Sequence, residues 1–360
     1  MLTVLVFCTI LIVLATLLPM SRNSHWIIRG MDFPRLQIAI LATALLIADF
    51  VVLDDQLIIT WLLISVTVLC LSWQLWWILP YTMLWSREVK TASDTSSEGQ
   101  LSILTSNVLA PNHNADALIK LVKKHKPDVL VTLESDQWWQ DKLSVLEDDM
   151  PHSVKCPLDN LYGMHVFSRL PLEDQEISYL VEKDVPSIHA SIVLRTGDKI
   201  RMHFVHPAPP SPTENEESTN RDAELVIVAR SAAESDMPVI VTGDLNDVAW
   251  SATTRLFRKI SGLLDPRVGR GMYNTFHVKY FFLRWPLDHL FHSDHFTLRS
   301  IQRLPSISSD HFALLTRLQF SKSRDVNQKG LDLDANEAEW SEEITEKQGV
   351  DSNDVPKPSE

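Results

Sequence analysis

Polar residues that can hold a cation, move a proton or grip a phosphate recur in this chain at one kind of place, the end of a short apolar run. Asn107 follows Ser-Ile-Leu-Thr-Ser, Glu134 follows Val-Leu-Val-Thr-Leu, and His206 follows Met-His-Phe-Val. Asp244, with Asn246 two residues on, follows Val-Ile-Val-Thr-Gly. Asp288 with His289 and Asp310 with His311 complete the series. These are the groups that phosphoester hydrolysis needs: oxygen ligands for a divalent cation, a base near neutral pKa, and neutral donors that do not repel an anion. Taken singly, each has a plainer explanation. Asn107 suits a turn, Glu134 a solvated strand end and His206 a loop before Pro207. Gly-Asp-Leu-Asn is itself turn-forming, and Asp310-His311 reads as a surface pair.

The elements behind these residues are legible from periodicity. Residues 101–108 read as a strand, and Ala117, Leu118, Leu121 and Val122 give the next segment a helical apolar face. Pro127 ends that helix, and 129–133 is a second buried strand. Ile188, Ala190, Ile192 and Leu194 alternate with more polar neighbours; Ile200, Met202 and Phe204 do so again after Gly197-Asp198, which predicts a hairpin. A helix over 221–233 and a strand over 239–242 follow. Mixed parallel and antiparallel signals favour stacked sheets with outer helices. A polar residue where a buried strand emerges has its backbone held by the sheet and its side chain free for a ligand.

In this order the strings resemble the endonuclease/exonuclease/phosphatase superfamily of metal-dependent phosphodiester hydrolases. They are Leu-Thr-Ser-Asn107-Val, Leu-Val-Thr-Leu-Glu134, Phe-Ser-Arg-Leu-Pro171, Phe-Val-His206-Pro, Gly-Asp244-Leu-Asn246, Leu-Asp288-His-Leu-Phe and Ser-Ser-Asp310-His311. Gly-Asp-x-Asn and Ser-Asp-His are the most specific, and the likeness runs from about residue 100 to 320. The resemblance implies a DNase I-like four-layer α/β/β/α sandwich and Mg²⁺ or Mn²⁺, which suits an all-oxygen shell. It implies Glu134 as metal ligand with Asn107 beside it in the metal and phosphate shell, and His311 as the histidine that contacts the scissile phosphate and assists attack by water. Asp310 would orient that imidazole or help hold the metal. Asp244 and Asn246 would position the nucleophile and bind phosphate, His206 would contact phosphate or protonate the leaving oxygen, and Asp288 would pair with one of the histidines.

The net charge of -13 is unevenly spread. Residues 1–90 hold 5 basic and 5 acidic side chains, 91–320 hold 23 and 30, and 321–360 hold 5 and 11. Such acidity disfavours indiscriminate nucleic-acid binding, which needs a basic stripe. Three cysteines exclude a disulfide scaffold or four-thiolate zinc site, and ten glycines contain no dinucleotide fingerprint or P-loop.

Runs 2–20, 36–53 and 56–85 are long and apolar enough to predict three transmembrane helices, with Asp49 near the end of the second able to reach the interface. Trp61, Trp73, Trp76, Trp77 and Trp85 lie in or beside the third, as in interfacial belts. A cleaved signal peptide is the alternative for the first run. The missing basic n-region and the two further runs favour a membrane module, and with it the superfamily's membrane-anchored bacterial branch. The predicted organisation is a three-helix module at 1–86, a linker at 87–100, a catalytic domain at 101–320 and an acidic disordered tail at 321–360. Arg22, Arg29, Arg35, Arg87 and Lys90 lean the first loop and the catalytic domain to the cytoplasmic side of the plasma (inner) membrane.

Three functions compete. A membrane-anchored phosphoester hydrolase acting on a lipid headgroup or small phosphoester fits the acidity and the bilayer as partner. A nuclease acting on DNA or RNA needs a basic groove, for which Arg201, Arg221, Arg255, Arg258, Lys259, Arg267 and Arg270 are candidates. A non-catalytic membrane scaffold is disfavoured by the intact motif set. No protein partner is inferable.

Overall fold

Long apolar runs and alternating runs bury themselves differently, the first as helices and the second as sheets. The computed structural model describes residues 1–54, 56–93, 97–322 and 328–359. α1 (Leu2–Leu17), α3 (Arg35–Val52) and α4 (Ile58–Ile78) occupy the apolar runs, with a short α2 (Trp26–Gly30) between the first two. With their terminal turns, the three apolar spans are 19, 18 and 24 residues, enough by length and composition to cross a membrane. They pack through Leu5, Ile12, Ile38, Ala42, Leu45 and Cys70. Asp49, expected to reach the interface, is instead buried within the bundle.

The rest of the chain forms two sheets. β1 (Gln100–Asn107), α5 (Ala115–His125), β2 (Val129–Leu133) and α6 (Gln137–Leu143) open it. β3 (His152–Cys156), β4 (Met164–Ser168), β5 (Leu172–Ser178), β6 (Ser187–Val193) and β7 (Lys199–Val205) follow. Then come α7 (Thr219–Glu234), β8 (Val239–Asp244), α8 (Ala252–Ser261), β9 (Asp288–His292), β10 (Phe296–Arg303), β11 (Leu314–Phe320) and α9 (Ala335–Gln348). One sheet has the order β10-β11-β1-β2-β4-β3 and the other β5-β6-β7-β8-β9. The expected hairpin is the antiparallel β6–β7 pair.

The inward faces of both sheets share one core, with Ile103, Val131 and Val166 from the first and Ala190, Met202 and Ile240 from the second. Leu118, Val122 and Trp139 of α5 and α6 cover the outer face of the first sheet. Leu225, Val228 and Phe257 of α7 and α8 cover that of the second. The result is the DNase I-like α/β/β/α sandwich, preceded by three apolar helices.

Two expectations fail where polar composition concealed anchoring residues. Residues 87–93, expected to be linker, lie against the fold. Val89 is fully buried in the inter-sheet core, Glu88 pairs with the buried Arg258, and the Leu298 amide donates to the Lys90 carbonyl at 2.9 Å. Residues 94–96 of that linker fall outside the described residues. The expected disordered tail instead contains α9, opened by a capping box of Asp334 and Glu337. Trp340 and Ile344, spaced i and i+4, pack on Ala223, Val226 and Leu256 while acidic side chains face outward. Of the tail, 323–327 and 360 lie outside the described residues.

The segment between the first two apolar helices is bonded directly to the two-sheet fold. The Trp26 amide donates to the Glu216 carbonyl at 2.9 Å, the Ser218 amide to the Ser24 carbonyl at 2.8 Å, and the Trp250 indole to the Asp32 carbonyl at 2.8 Å. Arg29 meets Asp222 at 3.4 Å, and both are buried. Removing a buried aromatic costs about 3–5 kcal/mol. Trp340→Ala is therefore expected to lower the denaturant midpoint of the full chain clearly; an unchanged midpoint would mean that α9 does not hold the fold.

Candidate active site

The two sheets present their strand ends at one seam. Asn107 ends β1, and Glu134 directly follows β2, which runs parallel beside it. Asp244 ends β8 and lies opposite Asp288, the first residue of the antiparallel β9. Thr105 and Thr242, each two residues before its site residue, are 2.9 Å apart through their hydroxyls, a polar tie across the apolar core. Gly243 is required here: a Cβ would lie 1.8 Å from the Val205 carbonyl oxygen, so only glycine lets β8 approach β7 where Asp244 and His206 emerge.

His311 is clamped between two buried carboxylates. Its Nδ1 lies 2.8 Å from Asp288 Oδ2 and its Nε2 3.5 Å from Asp244 Oδ2. Burial opposes charge on the ring, but Asp288 and Asp244 outweigh it and push the imidazole up to about 10. Burial also works to lift Asp244, yet His311 and His206 together hold it below the usual carboxylate range. Asp244 Oδ1 accepts the Asn246 amide at 2.9 Å, and Oδ2 accepts Asn107 Nδ2 at 3.2 Å. Asp288, not Asp310, therefore orients the imidazole.

Glu134 sits in left-handed backbone, φ 55°, which turns its side chain back toward the seam. Its Oε1 accepts Asn107 Nδ2 at 2.7 Å, while Oε2 is buried without a partner. Burial raises this carboxyl to about 7, with Asp244 and Asp310 adding to the rise against the Asn107 bond. Asn107 donates to two carboxylates and its own oxygen accepts the Leu109 amide, so it braces the acidic pair. Asp244, Asp288 and His311 bring ligating atoms within 4.8 Å of one another, a composition that can hold a metal. Those atoms are largely committed to the clamp. Glu134 is the carboxylate that combines an unsatisfied buried oxygen with a place in the pocket wall beside Asp310, a fit for a cation.

The other expected residues divide. His206 is buried with Nδ1 unpartnered, and burial holds it down to about 4, so it is neutral. Asn246, at φ 50°, donates its side-chain amide to the Pro207 carbonyl at 3.0 Å and thereby fixes the Pro-rich loop. Asp310 lines the pocket, and its carbonyl accepts the Val278 amide at 2.8 Å.

The basic groove expected for a nuclease does not form. Arg201, Arg221, Arg258 and Arg267 are buried, where Arg221 pairs with Asp222 and Asp247, and Arg201 donates to the Pro356 carbonyl. Lys259 pairs with Glu337, Arg270 donates to the Val89 carbonyl, and Arg255 stacks over Trp77. None of the seven lines the site pocket. Periodicity had no signal for Tyr162, whose ring lies 5.4 Å from His206 and whose hydroxyl donates to Glu214, nor for Trp26 and Phe33 in the pocket wall.

A model of the Endonuclease/Exonuclease/phosphatase family matches residues 104–311. No curated protein matches the sequence significantly. Similar solved structures include D. rerio TDP2 complexed with a single-strand DNA product, with TM-score 0.51 and 17% identity over 61% of this chain and 99% of that one. The human Nocturnin catalytic domain with bound sulfate gives 0.50 and 18%, over 62% and 96%. An endonuclease/exonuclease/phosphatase from Beutenbergia cavernae gives 0.50 and 15%, over 62% and 72%. At these identities the likeness is one of fold.

The raised value of His311 sets a sign. The clamp contributes fully to stability below the ordinary histidine range and loses its contribution as pH rises toward about 10. In the full chain in detergent with EDTA, His311 should remain doubly protonated at pH 8 by imidazole ¹⁵N shifts. Asp288→Asn should lower its titration by roughly 1–3 pH units, the usual effect of one adjacent opposite charge.

Proposed function

The chain belongs to the endonuclease/exonuclease/phosphatase family, and from that premise we propose that it is a membrane-anchored phosphodiester hydrolase dependent on Mg²⁺ or Mn²⁺. The observation that carries this reading is the His311 imidazole, held between Asp288 and Asp244, beside a glutamate with an unsatisfied buried oxygen. Glu134 and Asp310 would hold the cation, with Asn107 bracing Glu134 from behind. Bound there, a divalent cation supplies charge neutralisation on the phosphoryl oxygens.

The chain's own groups supply the rest. Asp244, kept ionised, accepts a hydrogen bond from the attacking water and orients it. His311 donates Nε2–H to a phosphoryl oxygen, where a positive charge fixed in advance costs no reorganisation. A neutral His206 is a hydrogen-bond donor to phosphate and a poor proton source, which argues against its protonating the leaving oxygen. Acidic walls and the sequestered arginines favour a small or lipid-borne phosphoester over nucleic acid.

For topology, the proposal is a multi-pass plasma (inner) membrane protein. Its first loop, bonded to residues 216–218, shares a side with the catalytic domain. Charge counting makes that side cytoplasmic, although Arg29 and Arg35 are consumed by buried ion pairs.

The test is turnover of bis(p-nitrophenyl) phosphate by the full chain in detergent with Mg²⁺ or Mn²⁺. EDTA should abolish it. His311→Ala and Asp244→Ala should each lower kcat about 10²–10⁴-fold, roughly 3–5 kcal/mol of barrier, without unfolding the chain. Glu134→Gln should shift half-saturation by Mg²⁺ to higher concentration. Wild-type turnover by His311→Ala, or activity indifferent to EDTA, would overturn the reading.

A further inference from the structure

We propose that the active-site pocket opens at the bilayer surface and takes its phosphoester from the membrane, from an amphiphile of the lipid type. The segment between the first two spans forms part of the pocket wall, and the loop at residues 280–283 makes the lipid contact. This rests on the hydrolase reading above and narrows it to a substrate class.

The pocket, about 650 Å³, has Glu134, Asp310 and His311 on its polar side. Its lining also includes Trp26 and Phe33, which belong to the stretch joining α1 to α3. Apolar rings run from the reacting centre to the membrane helices. Phe276 lies 4.9 Å from His311, Trp285 6.3 Å from Phe276, and Phe33 5.5 Å from Trp285, between ring centroids. Phe33 is two residues before the start of α3. An amphiphile needs an apolar path beside a polar headgroup site, and this wall supplies one.

The loop gives the second, independent observation. Tyr280, Phe281 and Phe282 are 51%, 77% and 57% exposed, and Leu283 beside them is also exposed. Four consecutive large apolar side chains at a loop tip are a poor surface for water but suit the headgroup region, where aromatic rings concentrate. Their height is set by a direct bond: Gln37, in the first turn of α3, donates to the Phe282 carbonyl at 2.6 Å. The tip is thus level with the entry of a membrane-spanning helix whose next turn exposes Ile40 and Leu41. The base of the same loop is bonded to the site, through the Val278 amide on the Asp310 carbonyl at 2.8 Å and the Phe312 amide on the Thr275 carbonyl at 2.9 Å. One loop joins the membrane surface to the reacting residues.

Two esters with the same scissile phosphodiester separate the outcomes. p-Nitrophenyl hexadecyl phosphate is carried in phosphatidylcholine vesicles holding the reconstituted full chain, and p-nitrophenyl ethyl phosphate is supplied in water. The wild type should prefer the membrane-borne ester in kcat/KM by at least about tenfold, given the apolar area available to the chain. F281S/F282S should lose most of that preference while its rate on the ethyl ester stays within about twofold of wild type, which also shows that it folds. Equal wild-type rates on the two esters, a preference that survives F281S/F282S, or faster cleavage of a single-stranded oligonucleotide than of either ester would overturn the proposal. No turnover of either ester by the wild type would overturn the hydrolase reading itself.

Discussion

The imidazole of His311 between the carboxylates of Asp288 and Asp244 is the interaction around which the site is organised. Three buried ionisable groups can persist only if their charges compensate and their hydrogen bonds are met. That demand reaches through both sheets. β8 and β9 carry the carboxylates, the loop entering β11 carries the imidazole, and Asn107 of β1 ties Asp244 to Glu134. The Thr105–Thr242 contact and Gly243 hold the strand ends close enough for the clamp to close. Loosening any of these would leave a buried charge unpaired, which links integrity of the fold to readiness of the site.

The same rule governs the junction with the apolar helices. Arg29, Asp222, Arg221 and Asp247 form a buried chain of charge from the first loop to the back of the Gly-Asp-Leu-Asn turn, and Arg221 also donates to the Asn246 carbonyl at 2.8 Å. The arginines that suggested a nucleic-acid groove thus serve as internal cross-links. Having spent them there, the molecule presents acidic and aromatic groups around its pocket. The helices are consequently built into the two-sheet fold rather than tethered to it, and residues 87–93 pack against that fold as part of the attachment.

Local pattern accounts for what the sequence by itself determined. The three apolar spans, the strand ends at Asn107, Glu134, His206 and Asp244, and the order of motifs that marks the family depend on hydrophobic period and neighbouring residues, both read along the chain. Tertiary structure alone decided the partners. Nothing in spacing says that Asp288 rather than Asp310 orients His311, that Asn107 donates to both Glu134 and Asp244, or that Arg201 and Arg267 are interior. The acidic tail misled because two apolar residues among many charges suffice to dock a capped helix once a complementary face exists. That face, like the aromatic wall from Phe33 to Phe276, is assembled from segments distant in sequence. The physical reason is the same throughout: periodicity is set by bonds to near neighbours, whereas charge pairing and pocket walls are set by sheet register and packing between remote segments.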